Sequence, residues 1–146
     1  MIGIIKIEQP SQMKKALQIR EEVFVKEQHV PKEEEYDEFD NTATHFLAID
    51  NAGNAFGTAR WRRTENGIKL ERFAILKDAR GKGIGSMLLE SILEDIAVQN
   101  NTDTPLRLYL HAQTKALPLY KKFGFQKEGE AFEECGIEHY RMSRML

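Results

Sequence analysis

The strongest constraint on the fold of this 146-residue chain is a change of pattern at Leu76. Before it, residues 44–50, 55–63 and 68–76 read as strands separated only by short turns. Asn51-Ala52-Gly53-Asn54 is one turn signal. Glu65-Asn66-Gly67 is the other, and its Asn-Gly pair suits a hairpin because both residues tolerate positive φ. Three antiparallel strands in a meander are the expected result. After Leu76 a glycine-bearing loop covers residues 77–83, and residues 85–98 take a helical period. Ile84, Met87, Leu88, Ser91, Ile92 and Ile96 fall on its inward side, a stripe wide enough to pack on a sheet.

The remaining segments extend this frame. Residues 2–8 are a strand of β-branched character stopping before Pro10. Residues 12–27 are a helix with Ser11 as N-cap, on which Met13, Ala16, Leu17, Val23 and Phe24 recur. Pro31 suits the first turn of a short second helix carrying Glu33, Glu34, Glu35, Asp37 and Glu38. Pro105 precedes a strand at 106–112, a short helix spans about 115–122 and ends at Gly124, and strands follow at 125–134 and 139–146. The order β-α-α-β-β-β-α-β-α-β-β predicts one α/β (α+β) domain over residues 1–146, a mixed sheet with helices on its faces.

Composition narrows the function classes. Net charge is -2, so no basic field favours nucleic acid as a partner. One cysteine, Cys135, can form neither an internal disulfide nor a Cys-rich zinc site, which points to a reducing compartment. The apolar start, residues 1–7, is too short for a signal sequence, and no run of 18 apolar residues could span a membrane. A cytoplasmic protein without membrane partner is the expectation. No metal is expected: residues 37–40 lack calcium-loop spacing, and the four histidines are scattered.

The loop Arg80-Gly81-Lys82-Gly83-Ile84-Gly85 joins a strand to a helix start. Glycine lets backbone approach an anion closely, and the first helical N–H groups are unsatisfied and carry the positive end of the dipole. Lys77, Arg80 and Lys82 add charge. A phosphate site and a flexible turn with solvated lysines are both compatible with this. A Walker A run is absent, and the spacing of Gly81, Gly83 and Gly85, placed after a meander, does not suit a dinucleotide loop.

On these residues the chain resembles the GNAT N-acetyltransferases. Arg80-x-x-Gly83-x-Gly85 matches the Gln/Arg-x-x-Gly-x-Gly/Ala signature of that family, Arg72-Phe73-Ala74-Ile75 lies where its cofactor-binding strand lies, and Ala116 to Phe125 looks like its C-terminal helix and Gly-Phe corner. Arg20 to Gln28, Asp37, Asp40 and Glu134 to His139 resemble an ElaA-like bacterial branch. The resemblance implies the GNAT acyl-CoA acyltransferase fold, a mixed sheet of about seven strands flanked by about four helices. It implies direct transfer of acetyl from acetyl-CoA to an amine, on a small molecule or a protein, by a monomer or homodimer. Arg80, Gly81, Lys82, Gly83, Ile84, Gly85 and Ser86 would hold the pyrophosphate. Phe73, Ala74 and Ile75 would pair with the pantetheine arm as an added strand.

Three side chains are candidates for the chemistry. Tyr120 matches the family's acid position and could protonate the leaving thiolate; the alternative is a helix tyrosine closing the sheet. For the base, a glutamate of the cofactor strand serves some members. Strict alignment puts Lys69 there, with Glu71 one alternation further on the same face. His111, ending the next strand, is the other candidate, or a histidine satisfied by backbone. His45 and His139 read as structural, and Cys135 as inert. In the front segment Glu21, Glu22, Glu27, Glu33, Glu34, Glu35, Asp37, Glu38 and Asp40 outnumber Arg20, Lys26 and Lys32. This is a solvated face, or a lure for a polyamine or lysine acceptor. Arg60, Arg62 and Arg63 could instead take a carboxylate or phosphate of the acceptor. A catalytically silent acyl-CoA-binding domain of the same fold is the second function class.

Overall fold

Gln9 and Gln12 start the first helix. The computed structural model, which describes residues 1–100 and 103–146, has Gln9 as N-cap and Pro10 at the first helical position. The Gln12 side chain accepts from the N–H groups of Glu8 and Gln9 at 2.9 and 3.0 Å. Ser11 therefore lies inside the helix rather than capping it, because proline already supplies helical φ one residue earlier. Strand β1 (Gly3–Lys6) precedes helix α1 (Pro10–Arg20), and the same axis continues as a π-helical segment, Glu21–Glu27. The expected second helix is short: α2 is Lys32–Glu35, and Asp37 and Glu38 lie beyond it at a 3-10 turn, Glu38–Asn41.

The meander follows as β2 (Thr44–Ile49), β3 (Ala55–Thr64) and β4 (Gly67–Ile75). A 3-10 turn, Lys77–Ala79, leads through the glycine loop to α3 (Ile84–Gln99). Then come β5 (Arg107–Gln113), α4 (Leu117–Lys122), β6 (Gln126–Glu134) and β7 (Ile137–Met145). The turn between β6 and β7 is only Cys135-Gly136, with φ of 52° and 76°, so β7 begins two residues earlier than its hydrophobic pattern suggests.

One seven-stranded sheet results, in the order β1-β2-β3-β4-β5-β7-β6. All pairs are antiparallel except β4 with β5. Alternation along β2 sends Phe46 and Ala48 to the α3 face and Leu47 to the α1 face. On α3 the buried set is Ile84, Leu88, Leu89, Ile92 and Ile96; Met87 and Ser91 are only half-buried. Along β4, Ile68 and Leu70 face α3, yet Ala74 faces α1. The parity reverses because the β3 register slips between Thr58↔Ala74 and Arg60↔Glu71, and Arg72 takes φ 59°. This is a bulge with an extra residue on β4.

Candidate active site

β4 and β5 pair only at Ile68↔Leu108 and Lys69↔Tyr109 and then diverge. The far edge of β4, residues 71–75, thus has no strand partner on the β5 side. A cleft of about 420 Å³ fills the divergence. One end is bounded by Arg80, Gly85, Lys115 and Leu119, the other by Asp37, Arg62, Lys69 and Cys135, and Tyr120, Glu71 and His111 also line it.

The glycine loop borders the first end. Gly81 and Gly83 have φ of 80° and 81°, and a Cβ built on either meets nothing within 4 Å. Backbone geometry, not crowding, therefore calls for glycine at both, and open space lies over them at the start of a 16-residue helix. Gly85 is different: its Cβ would come within 3.2 Å of Leu119, so it sets the approach of α4 to α3. Lys122 donates to the Ser86 hydroxyl at 2.9 Å across the same contact. Lys82 is exposed. Arg80 donates to the Ile75 carbonyl at 3.0 Å and to both oxygens of Glu27 at 2.6 Å, which lowers the Glu27 pKa. Phe73, Ala74 and Ile75 form the last part of β4, with Ala74 buried and the other two half-buried.

Tyr120 is buried where the strands part. Its ring meets Phe73 edge-on at 5.6 Å and Phe125 at 6.3 Å. Its hydroxyl has no hydrogen-bond partner among the described residues, and burial pushes the phenol pKa above its ordinary value. The proton stays on oxygen through neutral pH.

The charged front folds onto the β3–β4 hairpin. Arg20 and Arg60 are each 1% exposed and Glu35 is 2% exposed, so part of the run turns inward, while Glu22, Glu27, Glu33, Glu34 and Glu38 remain exposed as a solvated face. Arg20 donates to Glu35 at 2.6 Å and to Asp40 at 2.7 Å. Arg60 donates to Asp37 at 2.9 and 2.8 Å, to Asp40 at 2.6 Å, and to Glu71 through both Nε, at 2.7 Å, and Nη2. Arg72 donates to Asp37 at 3.1 Å, which helps hold its unusual backbone. Arg60 and Arg62 are thus paired with Asp37, Asp40 and Glu71 in one internal network. Arg63 points elsewhere, to Asn100 at 2.8 Å.

Glu71 sits inside that network. Arg62 Nε donates to it at 2.9 Å and Lys69 Nζ lies at 3.2 Å. Burial raises its pKa, but Arg60, Arg62 and Lys69 outweigh burial and bring it to about 2. Such a carboxylate has little affinity for a proton at neutral pH. Asp37 is held at about 2 as well, Arg60 and Arg72 outweighing its desolvation.

His111 lies two residues past the last β4–β5 rung, level with Glu71 by register. Its Nδ1 is 3.2 Å from Glu134 Oε1, and its Nε2 is buried without a partner among the described residues. Glu134 carried no signal of its own in the sequence; a two-residue Cys-Gly hairpin would have brought it beside β7, and only knowledge of the sheet order brings it to His111. His45 is buried and its Nε2 donates to the Asp40 carbonyl at 3.0 Å. Cys135 donates to Glu34 at 3.2 Å, and burial and that carboxylate push its thiol pKa up to about 11. Among the described residues no group of three or more His, Cys, Asp or Glu is placed to hold a metal ion. Among the described residues no helix is long and apolar enough to cross a membrane.

A mixed seven-stranded sheet parted between its central parallel strands, with a glycine loop opening a helix beside the parting, is the architecture of the acyl-CoA N-acyltransferases. The family model described as acetyltransferase (GNAT) domain matches residues 7–146. The uncharacterized N-acetyltransferase YjcF of Bacillus subtilis is 40% identical, over 91% of this chain and 92% of that protein. The crystal structure of Escherichia coli ElaA superposes with a TM-score of 0.83 at 29% identity, covering 99% of both chains. A GNAT acetyltransferase from Elizabethkingia anophelis with acetyl-CoA bound shares the fold, with a TM-score of 0.71 at 15% identity over 99% of this chain and 98% of that one. The chain belongs to the GNAT acetyltransferase family.

Proposed function

We propose that this protein transfers acetyl from acetyl-CoA to a primary amine by direct attack within a ternary complex. The observation that carries the reading is the parted sheet: an unpaired β4 edge runs from the open glycine loop to Tyr120, whose hydroxyl has no hydrogen-bond partner among the described residues. The family supplies the cosubstrate class. Amides of Gly81 to Ser86, with Lys82, would face the pyrophosphate. Arg80 would join them by exchanging Glu27 for phosphate. Phe73 and Ile75 would offer backbone groups to the pantetheine arm.

Tyr120 donates its proton to the sulfur as the C–S bond breaks, and its raised pKa keeps that proton available until then. Of the two candidate bases, His111 fits better than Glu71. Its Nε2 is free of partners, whereas Glu71 is committed to three cations. The attacking nitrogen gives its proton to His111 as the N–C bond forms.

The test is thiol release from acetyl-CoA with an amine panel comprising 1,4-diaminobutane, lysine blocked at its α-amine, and free amino acids. Release that depends on one amine and yields its acetamide supports the reading. Binding of acetyl-CoA without release to any amine would leave a silent acyl-CoA-binding domain instead.

A further inference from the structure

The contact between His111 and Glu134 fixes more than a position. A carboxylate can only accept, so at 3.2 Å the proton lies on His111 Nδ1 and the neutral ring carries its lone pair on Nε2. That Nε2 is buried in a residue lining the cleft and has no partner among the described residues. Buried polar atoms are rarely left so, and one at a cleft wall awaits a partner from outside the chain.

The ring is held on its other sides. Phe132 meets it edge-on at 5.1 Å, and Tyr109 lies tilted at 6.3 Å. Strand β7 borders the pair as well. His139 stacks on Phe132, donates from Nδ1 to the Ile137 carbonyl at 2.7 Å, and places Nε2 3.7 Å from the second oxygen of Glu134. The charged groups around the pair are Glu134 on β6, His139 and the cross-strand Arg141 on β7, and Lys69 and Glu71 on β4. A plain surface ion pair would account for Glu134, whose side chain is 44% exposed. It would not account for the orphaned nitrogen.

We propose that Glu134 is a positioning residue. It holds His111 in the tautomer protonated on Nδ1, aims the Nε2 lone pair into the cleft, and steadies the imidazolium that forms. This rests on the reading of His111 as base. In the step, the amine N–C bond forms while one proton leaves that nitrogen for Nε2. Both ring nitrogens then carry protons, and Glu134 stays ionised throughout. The imidazolium later returns its proton to solvent.

The experiment uses the whole protein labelled with ¹⁵N-histidine, with signals assigned by single histidine substitutions. In the free wild type the neutral His111 ring should show Nδ1 protonated and Nε2 bare. Glu134→Leu should shift the population toward the Nε2-protonated form, while Glu134→Gln, which keeps an acceptor oxygen, should retain the wild-type tautomer. A wild-type ring protonated on Nε2, or a tautomer unmoved in Glu134→Leu, overturns the proposal. Glu134→Leu should also lower kcat by roughly 10–100-fold with the best amine of the panel, leaving the acetyl-CoA KM and the melting temperature unchanged. An unchanged kcat would overturn it too. Should the wild type acetylate no amine, the function reading fails, and the NMR comparison still decides whether Glu134 sets the ring.

Discussion

Replacing Glu71 by glutamine should change how stability depends on pH more than it changes anything else. The folded carboxyl has a pKa of about 2 against an ordinary 4.5. The unfolded chain therefore binds more protons between those values, and stability rises with pH across that window. The contribution is fully present above about 4.5 and is lost as pH falls through about 2. At about 1.4 kcal/mol per pKa unit the difference is about 3 kcal/mol. Glutamine has the shape of the protonated acid but cannot ionise. Glu71→Gln should thus be less stable than wild type by about 3 kcal/mol near pH 7, a urea midpoint shift on the order of 1–2 M. The gap should close as pH falls from 4.5 to 2. Urea titrations at half-unit pH steps, with a common m-value, measure it. A gap that is constant from pH 2 to 7, or absent at pH 7, would refute the account of Glu71 as the anion of a buried cation cluster. His111→Ala should lower turnover with the best amine of the panel far more than Glu71→Gln does.

Gly83→Glu should abolish the rise in melting temperature caused by acetyl-CoA, about 2.7 kcal/mol of linkage at a hundredfold excess over Kd. Its side chain enters the open space over the loop, at a φ of 81° that L residues disfavour; an intact shift would remove the loop from cosubstrate binding. Tyr120→Phe should lower turnover by about 10²-fold while leaving unfolding free energy within about 0.5 kcal/mol, because the hydroxyl makes no hydrogen bond among the described residues. Undiminished turnover would exclude the phenol as acid.

The frame of this molecule was legible because its signals are local. Turn residues at Gly53 and Gly67, the loop glycines and the apolar period of α3 each act within a few residues. The ion cluster was not legible in the same way. Alternation correctly puts Arg60 and Arg62 on one face, but their partners come from positions 9 to 23 residues away. The same carboxylates therefore read equally well as a solvated run. The bulge at Arg72 had no local signal either, since it places a non-glycine residue at positive φ and relies on Asp37, 35 residues distant, to hold it. The base was open in the sequence for a related reason: a histidine's usefulness depends on which nitrogen is free, and the residue beside His111 Nδ1, Glu134, lies two strands away in the sheet.

The parted sheet also has a mechanical consequence. Among the described residues the half made of β1 to β4 and the half made of β5 to β7 share two backbone rungs, and the rest of their junction is packing around Leu88, Ile92, Leu108 and Leu110 with a few side-chain hydrogen bonds, Thr64 with Tyr109 and Gln113 to Gln28 among them. Hydrogen-bonded ladders resist shear and splay because they are directional, whereas apolar contact tolerates small rotations. The angle between the halves can accordingly adjust more easily than the ladders within each half, and it sets the cleft width. Volume changes at those four core positions should tune which amines reach the thioester, although none of the four carries a polar atom on its side chain.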